Sequence, residues 1–485
     1  MSGKQGASSA LNATAILALG QLGGQLLSFL RNMLLARHLA KADYGLAAAF
    51  ALSMAMLELV GRMALGVQVV QASNGNHPSF QKNAQAFQFV AGLLGCILLA
   101  LASGTLANLF DVPEKTWAFG LLAIVPLCLG LEHLDIYRFQ RELSFRPRVI
   151  CLFFPQLVAT LVTWPLVVWF GDYRVVLWLI IGKAVMTMML THLLAERSYR
   201  FGWNGAIVRQ VVAFSWPMMI NGLLLFASQQ ADQLIIGSQY SMAQLASYAL
   251  PVSIVMVPLM LFSKSVTPVM MSILAKVQED CSTFRVKCQL AVVLSATATV
   301  MVTVPLIISG EQVVVAFFGH KYENTGTLMA IIATAGAFRL LRIAPTTAAM
   351  AAGDTKNVMW ANVVRSLGVL LVLFVAKNGL PITWVATAAV VAEICALTVS
   401  SLLMCSRYEF PIRAMFKPGI FMMACIASAW GFLTRGSASW SLLVSGGVSF
   451  LVAVVALGLS WLLFADLRQQ ARSQWCLLLR GKKNP

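Results

Sequence analysis

The sequence predicts an all-α integral membrane protein with about fourteen transmembrane helices. Of its 485 residues, 59% are hydrophobic and only 11% are charged, whereas soluble domains carry about a quarter charged residues. The apolar residues fall in long windows joined by short connections, which leave no room for a folded domain outside the membrane. Because lipid offers no hydrogen-bond partners to the backbone, windows of this length must be helical.

The expected spans follow from windows of roughly 20 apolar residues, the length that crosses a hydrocarbon core. The first window follows a short polar N-terminus and has no small-residue cleavage site, so we expect a retained first span rather than a cleaved signal peptide. The fourteen windows are 12–36, 45–70, 85–110, 116–137, 149–170, 174–195, 210–238, 246–275, 288–309, 325–350, 358–376, 381–404, 418–434 and 441–464.

The basic residues predict the orientation. With the N-terminus inside, the inner loops and tails hold twenty-one Lys and Arg and the outer loops hold seven. A bias of this size over short loops indicates that both termini are cytoplasmic. It also accounts for most of the net charge of +17, so we expect no nucleic-acid partner. Some basic loops are also suited to contact with anionic lipid headgroups.

A weak internal repeat has an offset near two hundred residues. It sets SFLRNMLLARHL against QQADQLIIGSQY, so that Arg31 falls opposite Asp232, and it sets Tyr44 opposite Tyr248. DYRVVLWLIIG likewise matches LPITWVATAAV, with Trp178 opposite Trp384. Since six is an even number of spans, two such lobes are parallel repeats about an axis along the membrane normal.

The repeat predicts three regions. Residues 1–205 are expected to form an N-terminal six-helix lobe and residues 206–405 a second six-helix lobe. Residues 406–485 add a two-helix hairpin and a basic cytoplasmic tail. Because pseudo-symmetric helical pairs of this kind usually enclose a central path, a carrier is the leading class.

Arg31 and Asp232 are the first candidate site residues. Each lies about six residues before the outer end of its span, on the order of 9 Å below the outer surface at ~1.5 Å per residue. Arg31 either extends its guanidinium to the headgroups or lines a water-filled cavity. The matching positions in the two lobes favour the cavity, where the two side chains are able to pair when the outer side is closed.

Glu58 and Arg62 share a face of the second span at i, i+4 spacing. Two interpretations stay open: a self-neutralising pair that permits burial, or a pair in which Arg62 offers a spare donor to a ligand. Lys264 lies in the eighth span at a similar depth, and we expect its ammonium to face inward.

Arg339 and Arg342 lie at i, i+3 in AGAFRLLRIAP and are expected to be unpaired, so they must meet water, headgroups or an anion. Lys183 and Arg365 are expected to have structural roles. The resulting path is net cationic. Since guanidinium groups bind phosphate oxygens bidentately, phosphate or pyrophosphate is the expected ligand chemistry.

Catalytic and cofactor motifs are missing from the sequence. The five histidines are scattered, the nine cysteines show no metal-binding spacing, and neither a nucleophile elbow nor a P-loop occurs. The cluster LEHLDIYR is interpreted as a solvated helix end. We therefore expect a protein that is not an enzyme and has no cofactor.

Several stretches resemble a known family. They are LLARHLAKADYGLAAAFALS, RFQRELSFRPRVICLF, RQVVAFSWPMMINGLLLFASQQADQLIIGSQYSMAQLASYALPVSI and VTPVMMSILAKVQED. Together they resemble the polysaccharide-transporter branch, or Wzx-type flippases, of the multidrug/oligosaccharidyl-lipid/polysaccharide exporter (MOP) superfamily. The resemblance covers roughly residues 12–405.

The resemblance implies two six-helix lobes that alternate access and move an undecaprenyl-pyrophosphate-linked oligosaccharide across the inner membrane. It implies as partners the lipid-linked substrate, membrane lipids and other polysaccharide export and polymerisation proteins. FLRN…AR is also similar to the first helix of lipid II flippases, which implies that Arg31 faces the cavity, and the family's aspartate in span 7 matches Asp232. The fuller arginine set of lipid II flippases is absent, which argues against a peptidoglycan precursor.

Two rival classes remain. An ion-coupled drug or metabolite antiporter of the same superfamily would be expected to carry an acidic cavity, and the basic excess argues against it. A membrane-embedded polymerase or glycosyltransferase would need a long outer loop or a cytoplasmic domain, and every connection is short. A flippase also needs a driving force, for which Glu58 and Asp232 are the ion-coupling candidates.

Overall fold

The computed structural model describes the chain over five ranges, and every structural statement below refers to them. Side chains are described throughout except at positions 2–18, 57–64, 221, 408 and 412–414. The ranges are 2–61, 63–142, 144–408, 412–434 and 440–464.

The described chain is built from helices. Two 3₁₀ turns, Pro113–Lys115 and His320–Tyr322, accompany them. In chain order, the helices are α1 Ser2–His38, α2 Lys41–Gly61, α3 Met63–Gln71, α4 Pro78–Leu109, α5 Thr116–Leu121, α6 Ile124–Leu131, α7 Asp135–Arg141, α8 Arg146–Phe170, α9 Arg174–Leu193, α10 Gly205–Gln239, α11 Met242–Ala275, α12 Cys281–Ile308, α13 Gly310–Phe318, α14 Gly326–Ala351, α15 Thr355–Lys377, α16 Ile382–Tyr408, α17 Ile412–Thr434 and α18 Leu442–Leu463.

Twelve helical segments of the described chain are long and apolar enough to cross a membrane. They correspond to the third through the fourteenth of the predicted windows, so the all-α, multi-pass class is confirmed. The first predicted window coincides with α1, and the second coincides with α2 followed by α3. These helices are not among the twelve segments. The fourth span is shorter than expected, because the chain leaves the helix after Leu131 and begins α7 at Asp135.

Local chemistry sets several helix boundaries. The side chain of Asn204 accepts from the first backbone N–H groups of α10, and Asp280 and Asp354 do the same for α12 and α15. Such caps satisfy N–H groups that have no partner inside the helix. Gly171, with φ at 66°, ends α8 in the left-handed conformation that glycine adopts without strain.

Chain contacts divide the protein into two compact units, one ending at Ala246 and one beginning at Ser247. In the first unit, α1 packs on α8, α4 packs on α6, and α10 packs against α2, α3 and α4. Gly92 of α4 and Gly130 of α6 cross so closely that a Cβ on Gly92 would lie 2.5 Å from the Cα of Gly130. The helix α10, which the repeat assigns to the second lobe, thus contributes packing surface to this unit.

A buried ionic network anchors the start of α7. The carboxylate of Asp135 is fully buried and accepts from Arg138 Nε at 2.6 Å and from the backbone N–H groups of Glu196 and Arg197. Arg138 also donates to Glu142 and Glu196. Burial opposes ionisation of Asp135, but these donors outweigh it and hold its pKa below the usual range.

The network corrects the interpretation of LEHLDIYR as a solvated helix end. Glu132, His133, Asp135 and Arg138 are all buried, with exposed fractions between 0% and 8%. They are buried because α7 turns back over α3 and α8 and the chain after α9 covers the carboxylate. The segment is a structural junction between helices.

In the second unit, α12 and α14 form the interior. In these helices 67% and 72% of the membrane-length window is buried, against 17% in α15. α14 packs on α12 and α16, and α17 and α18 pack on α12. Gly336 also leaves room on α14 for side chains of α11, since a Cβ on this glycine would lie 3.0 Å from the Val255 side chain of α11. An arginine on α14 is therefore surrounded by helices rather than by lipid.

Asp135→Asn is expected to lower the free energy of unfolding by about 3–5 kcal/mol, because the buried Arg138 loses its one buried carboxylate and keeps only the more exposed Glu142 and Glu196. The pKa of this carboxyl is lower in the folded protein than in the unfolded chain, where it is about 3.9. The carboxylate therefore stabilises the protein fully at pH values above the unfolded pKa, and this stabilisation is lost as the pH falls from there through the folded pKa. The deficit should therefore be largest at neutral pH and disappear in acid, as measured by thermal unfolding in detergent across pH. Asp111→Asn, at an exposed turn, is the matched control; an equal deficit there would contradict the assignment.

Candidate functional site

The structure places Arg31 in α1 and Asp232 in α10, both half-buried. No ion pair joins the two side chains among the described contacts, so the pairing that the repeat suggests is not formed here. Arg62 lies outside the described residues, as does the side chain of Glu58. The i, i+4 pair of the second span therefore stays a prediction.

Three of the predicted cations line one cavity. Lys264 of α11 and Arg339 and Arg342 of α14 border a space of about 340 Å³ between α11, α14 and α15. We call it the cationic cavity. Its remaining described lining is apolar apart from two hydroxyl side chains, and no carboxylate borders it. The structure thus brings together residues that lie about eighty positions apart in the sequence.

Helix geometry explains the convergence. Arg339 and Arg342 share one face of α14 by their i, i+3 spacing, and Gly336, one turn earlier, lets α11 approach that face closely. Lys264 is exposed, Arg339 is half-buried, and only 8% of Arg342 is exposed. The Nη1 atom of Arg339 lies 3.6 Å from the sulfur of Met256, a weak acceptor. The cavity therefore carries positive charge at three depths of burial.

Arg342 is not the unpaired cation that the sequence suggests. Its Nη2 donates to Glu393 Oε2 at 3.3 Å and its Nη1 donates to Asn362 Oδ1 at 3.2 Å. The other oxygen of Glu393 lies 2.6 Å from Arg365 Nε. The prediction of two unpaired arginines was therefore wrong for Arg342, because α16 supplies a buried counter-ion from across the unit.

Glu393 is the residue that sequence reasoning missed. It is an isolated acid in the apolar stretch VVAEICALTV, and its role depends on contacts with α14 and α15 that no spacing along the chain reveals. The signal available in the sequence was the lone acid in an apolar span, since a carboxylate in a membrane helix needs a cationic partner. The structure buries Glu393, with 5% exposed.

The described lining of the cavity contributes three cations and no carboxylate. One carboxylate is shared by Arg342 and Arg365, while Lys264 and Arg339 line the cavity as well. The Nε–H of Arg342 is buried and has no hydrogen-bond acceptor among the described residues. A buried guanidinium with a spare donor is suited to binding an anion that brings several oxygens.

A second cavity, of about 800 Å³, lies within the first unit. Its polar lining is mostly amide: Gln71 of α3, Gln140 of α7, and Gln229 and Gln230 of α10. We call it the glutamine cavity. Tyr137 and Arg148 also border it, and the rest of its described lining is apolar.

Tyr137 is held firmly at the wall of this cavity. Its ring lies over Gly66, where an added Cβ would come within 2.2 Å of the ring. The guanidinium of Arg148 lies 4.6 Å from the centre of the same ring, a cation–π contact. Arg141, on the same helix as Tyr137, donates to the backbone carbonyls of Val69 and Ala72 and so ties α7 to the end of α3.

A third cavity lies between α17 and α18. It has a volume of about 730 Å³, and its lining is apolar apart from Lys417 at one position and a few small polar side chains. Such a surface suits a hydrocarbon chain better than a polar ligand.

The twelve long apolar helices of the described chain define a multi-pass membrane protein. Residues 34–326 match the family described as "Polysaccharide biosynthesis protein", and because this is more than half of the chain, the protein belongs to that family. The resemblance to the polysaccharide-transporter branch of the MOP superfamily is confirmed. A search of curated proteins found no match.

Solved structures with a similar fold come from two groups of transporters. A lipid II flippase, MurJ, in an inward closed conformation superposes with a TM-score of 0.72 at 15% identity, covering 91% of this chain and 98% of that one. An inward-facing multidrug resistance MATE family transporter of the MOP superfamily gives a TM-score of 0.66 at 12% identity, covering 84% and 99%. A eukaryotic MATE transporter gives 0.55 at 15% identity, covering 84% and 100%. At these identities, the likeness concerns the fold alone.

Glu393→Gln is expected to destabilise the protein by about 3 kcal/mol, because two buried arginines lose their counter-ion. The double variant Glu393→Gln/Arg365→Gln also removes one arginine, so it should recover part of the lost free energy of unfolding. The expected coupling energy between the two positions is about 0.5–3 kcal/mol. Thermal unfolding of the two single variants and the double variant measures the coupling. Glu279→Gln removes an exposed carboxylate as a control; strictly additive effects would show that the charges act independently.

Proposed function

We propose that the protein is a flippase that moves an undecaprenyl-pyrophosphate-linked oligosaccharide repeat unit across the inner membrane, for exopolysaccharide or lipopolysaccharide biosynthesis. The observation that carries the proposal is the cationic cavity, in which Lys264, Arg339 and Arg342 meet and which no described carboxylate borders. Pyrophosphate presents several anionic oxygens to such a cluster, and guanidinium groups bind them bidentately. The flippase does no bond chemistry, so the proposal is not for an enzyme.

The proposal extends to the architecture: fourteen spans, two six-helix lobes in residues 1–205 and 206–405, and a helix pair with a basic tail in 406–485. Both termini lie in the cytoplasm, and transport proceeds by alternating access. Two pairs from the internal repeat support the lobes, since Tyr44 and Tyr248 are both buried while Trp178 and Trp384 are both exposed. The partners are the lipid-linked substrate, membrane lipids and other polysaccharide export and polymerisation proteins.

The apolar cavity between α17 and α18 supports a lipid-linked substrate rather than a small soluble anion. A long isoprenoid chain needs an apolar surface, and this cavity offers about 730 Å³ of it. A drug antiporter for organic cations, the alternative, would need carboxylates in its binding cavity. The described lining of the cationic cavity has the opposite charge, which favours the flippase.

Deletion of the gene in its host is expected to abolish surface polysaccharide while undecaprenyl-linked repeat units accumulate in the inner membrane. The wild-type copy should reverse both effects. Intact polysaccharide together with a new sensitivity to a small toxic compound would instead favour the antiporter. Extraction and quantification of lipid-linked sugars from the membrane measures the accumulation.

Arg339→Ala and Lys264→Ala are each expected to lower the export rate roughly tenfold or more, since a hydrogen bond to a charged group contributes about 1.5–3 kcal/mol. Protein level should not change, because neither side chain belongs to the buried Arg342–Glu393–Arg365 cluster. Arg31→Ala tests the first-span site in the same assay. Lys276→Ala removes an exposed cation just beyond α11 and serves as the control. Normal export by both Arg339→Ala and Lys264→Ala would exclude a role for the cationic cavity, and normal export by Arg31→Ala would exclude the first-span site.

Asp232→Asn is expected to make transport independent of the coupling gradient if Asp232 carries the coupling ion. If Glu58 carries it, Glu58→Gln has that effect and Asp232→Asn does not. Flipping in reconstituted vesicles should depend on a proton or sodium gradient, or on the membrane potential, in the wild type. The carboxylate supplies the titratable or ion-binding group that this dependence needs. A wild-type rate that is insensitive to all three driving forces would exclude a coupling role for both acids.

A further inference from the structure

The glutamine cavity has unused hydrogen-bonding capacity. Among the described residues, the side-chain amides of Gln71, Gln140 and Gln229 make no hydrogen bond, although all three border the cavity. Gln230 is different, because its side-chain oxygen accepts from Gln233. Three helices thus direct free amide groups into one space within a membrane protein, where unpaired polar groups are costly unless water or a ligand satisfies them.

The chemistry of these groups selects the ligand class. A glutamine amide offers two donors and a carbonyl acceptor, which suits sugar hydroxyls, since each of them both donates and accepts. A phosphate only accepts hydrogen bonds, so it would pair with Arg148, the one cation of the described lining, but would leave the carbonyl oxygens of the glutamines unpaired. An organic cation would need a carboxylate, which the described lining does not contain. A hydrocarbon would leave every amide unpaired. Among these classes, a saccharide uses the whole lining.

The cavity walls are prepared for such a ligand. The ring of Tyr137, fixed by Gly66 and Arg148, gives a flat apolar surface beside the amides. The volume of about 800 Å³ is in the range of ligand sites, which span about 300–1,000 Å³. The helix α7, which carries Tyr137 and Gln140, is anchored by the ionic network of Asp135 and by Arg141. Preorganised donors lose less entropy on binding.

We propose that the glutamine cavity binds the saccharide portion of the transported lipid through the amides of Gln71, Gln140 and Gln229. This inference rests on the proposed function and deepens it. It assigns sugar selection to residues of the first unit, separate from the phosphate-binding role of Lys264 and Arg339. The binding is non-covalent and needs no cofactor.

The test compares two lipids on purified full-length protein in detergent. One probe is the undecaprenyl-linked repeat unit extracted from the host strain that lacks the gene. The other is undecaprenyl pyrophosphate without sugar. The variants are Gln140→Leu and Gln229→Leu, singly and combined, with Gln239→Leu at the exposed end of α10 as the matched control. Alanine versions replace any leucine variant whose thermal unfolding differs from that of the wild type.

The expected result is that wild-type protein binds the sugar-bearing lipid more tightly than the sugar-free lipid. Each leucine variant should lose roughly threefold to tenfold in affinity for the former, the effect of one hydrogen bond. Affinity for the sugar-free lipid should not change. Arg339→Ala should instead lower the affinity of the protein for both lipids equally.

Three results would overturn the inference, and they are distinguishable. If the double glutamine variant binds the sugar-bearing lipid as the wild type does, the saccharide site is wrong while the flippase proposal stands. If wild-type protein binds neither lipid, the proposed function fails and the inference fails with it. Equal loss in Gln239→Leu would show that leucine substitution disturbs α10 generally, and this too would remove the assignment.

Discussion

The cost of an uncompensated charge inside a membrane is the constraint on which the rest of this structure depends. Arg342 and Arg365 are accommodated because Glu393 shares its two oxygens between them and because the packed helices α14, α15 and α16 exclude lipid. Arg339 and Lys264 are accommodated differently, at the wall of a cavity. The same physical cost therefore separates the cations that hold helices together through a shared carboxylate from the cations that line a cavity.

The first unit solves a related problem with neutral groups. Its ionic network around Asp135 lies at the junction of α7 with its neighbours, and it fixes the helix that carries Tyr137 and Gln140. The adjoining cavity is lined mainly by amides and apolar surface, with Arg148 as the one charged residue of its described lining. A rigid ionic support holds Tyr137 and Gln140 in place, so that they can recognise a polar ligand with little reorganisation.

The fold class and most span positions could be predicted from hydropathy alone, because only helices satisfy the backbone in lipid and each must be about 20 residues long. The grouping of Arg339 with Arg342 also followed from helical spacing, and the structure places Lys264, another residue singled out from the sequence, at the wall of the same cavity. Glu393 could not be found in this way, since its pairing depends on which helices become neighbours. The glutamines were missed for another reason: amides in a membrane helix give no hydropathy signal comparable with a charge, and only their convergence on one cavity makes them informative.

The two polar cavities suggest how a transporter for lipid-linked sugars separates affinity from selectivity. A pyrophosphate group is common to every lipid of this class, so a cationic cavity binds all of them and discriminates none. Sugar hydroxyls differ in number and direction, and a set of fixed amides rejects a saccharide that leaves them unpaired, because each buried unpaired group costs free energy. Within a family that shares one fold, selection of the oligosaccharide would then change by substitution of a few amide positions, while the buried Arg–Glu–Arg cluster, which stabilises the helices, would not need to change.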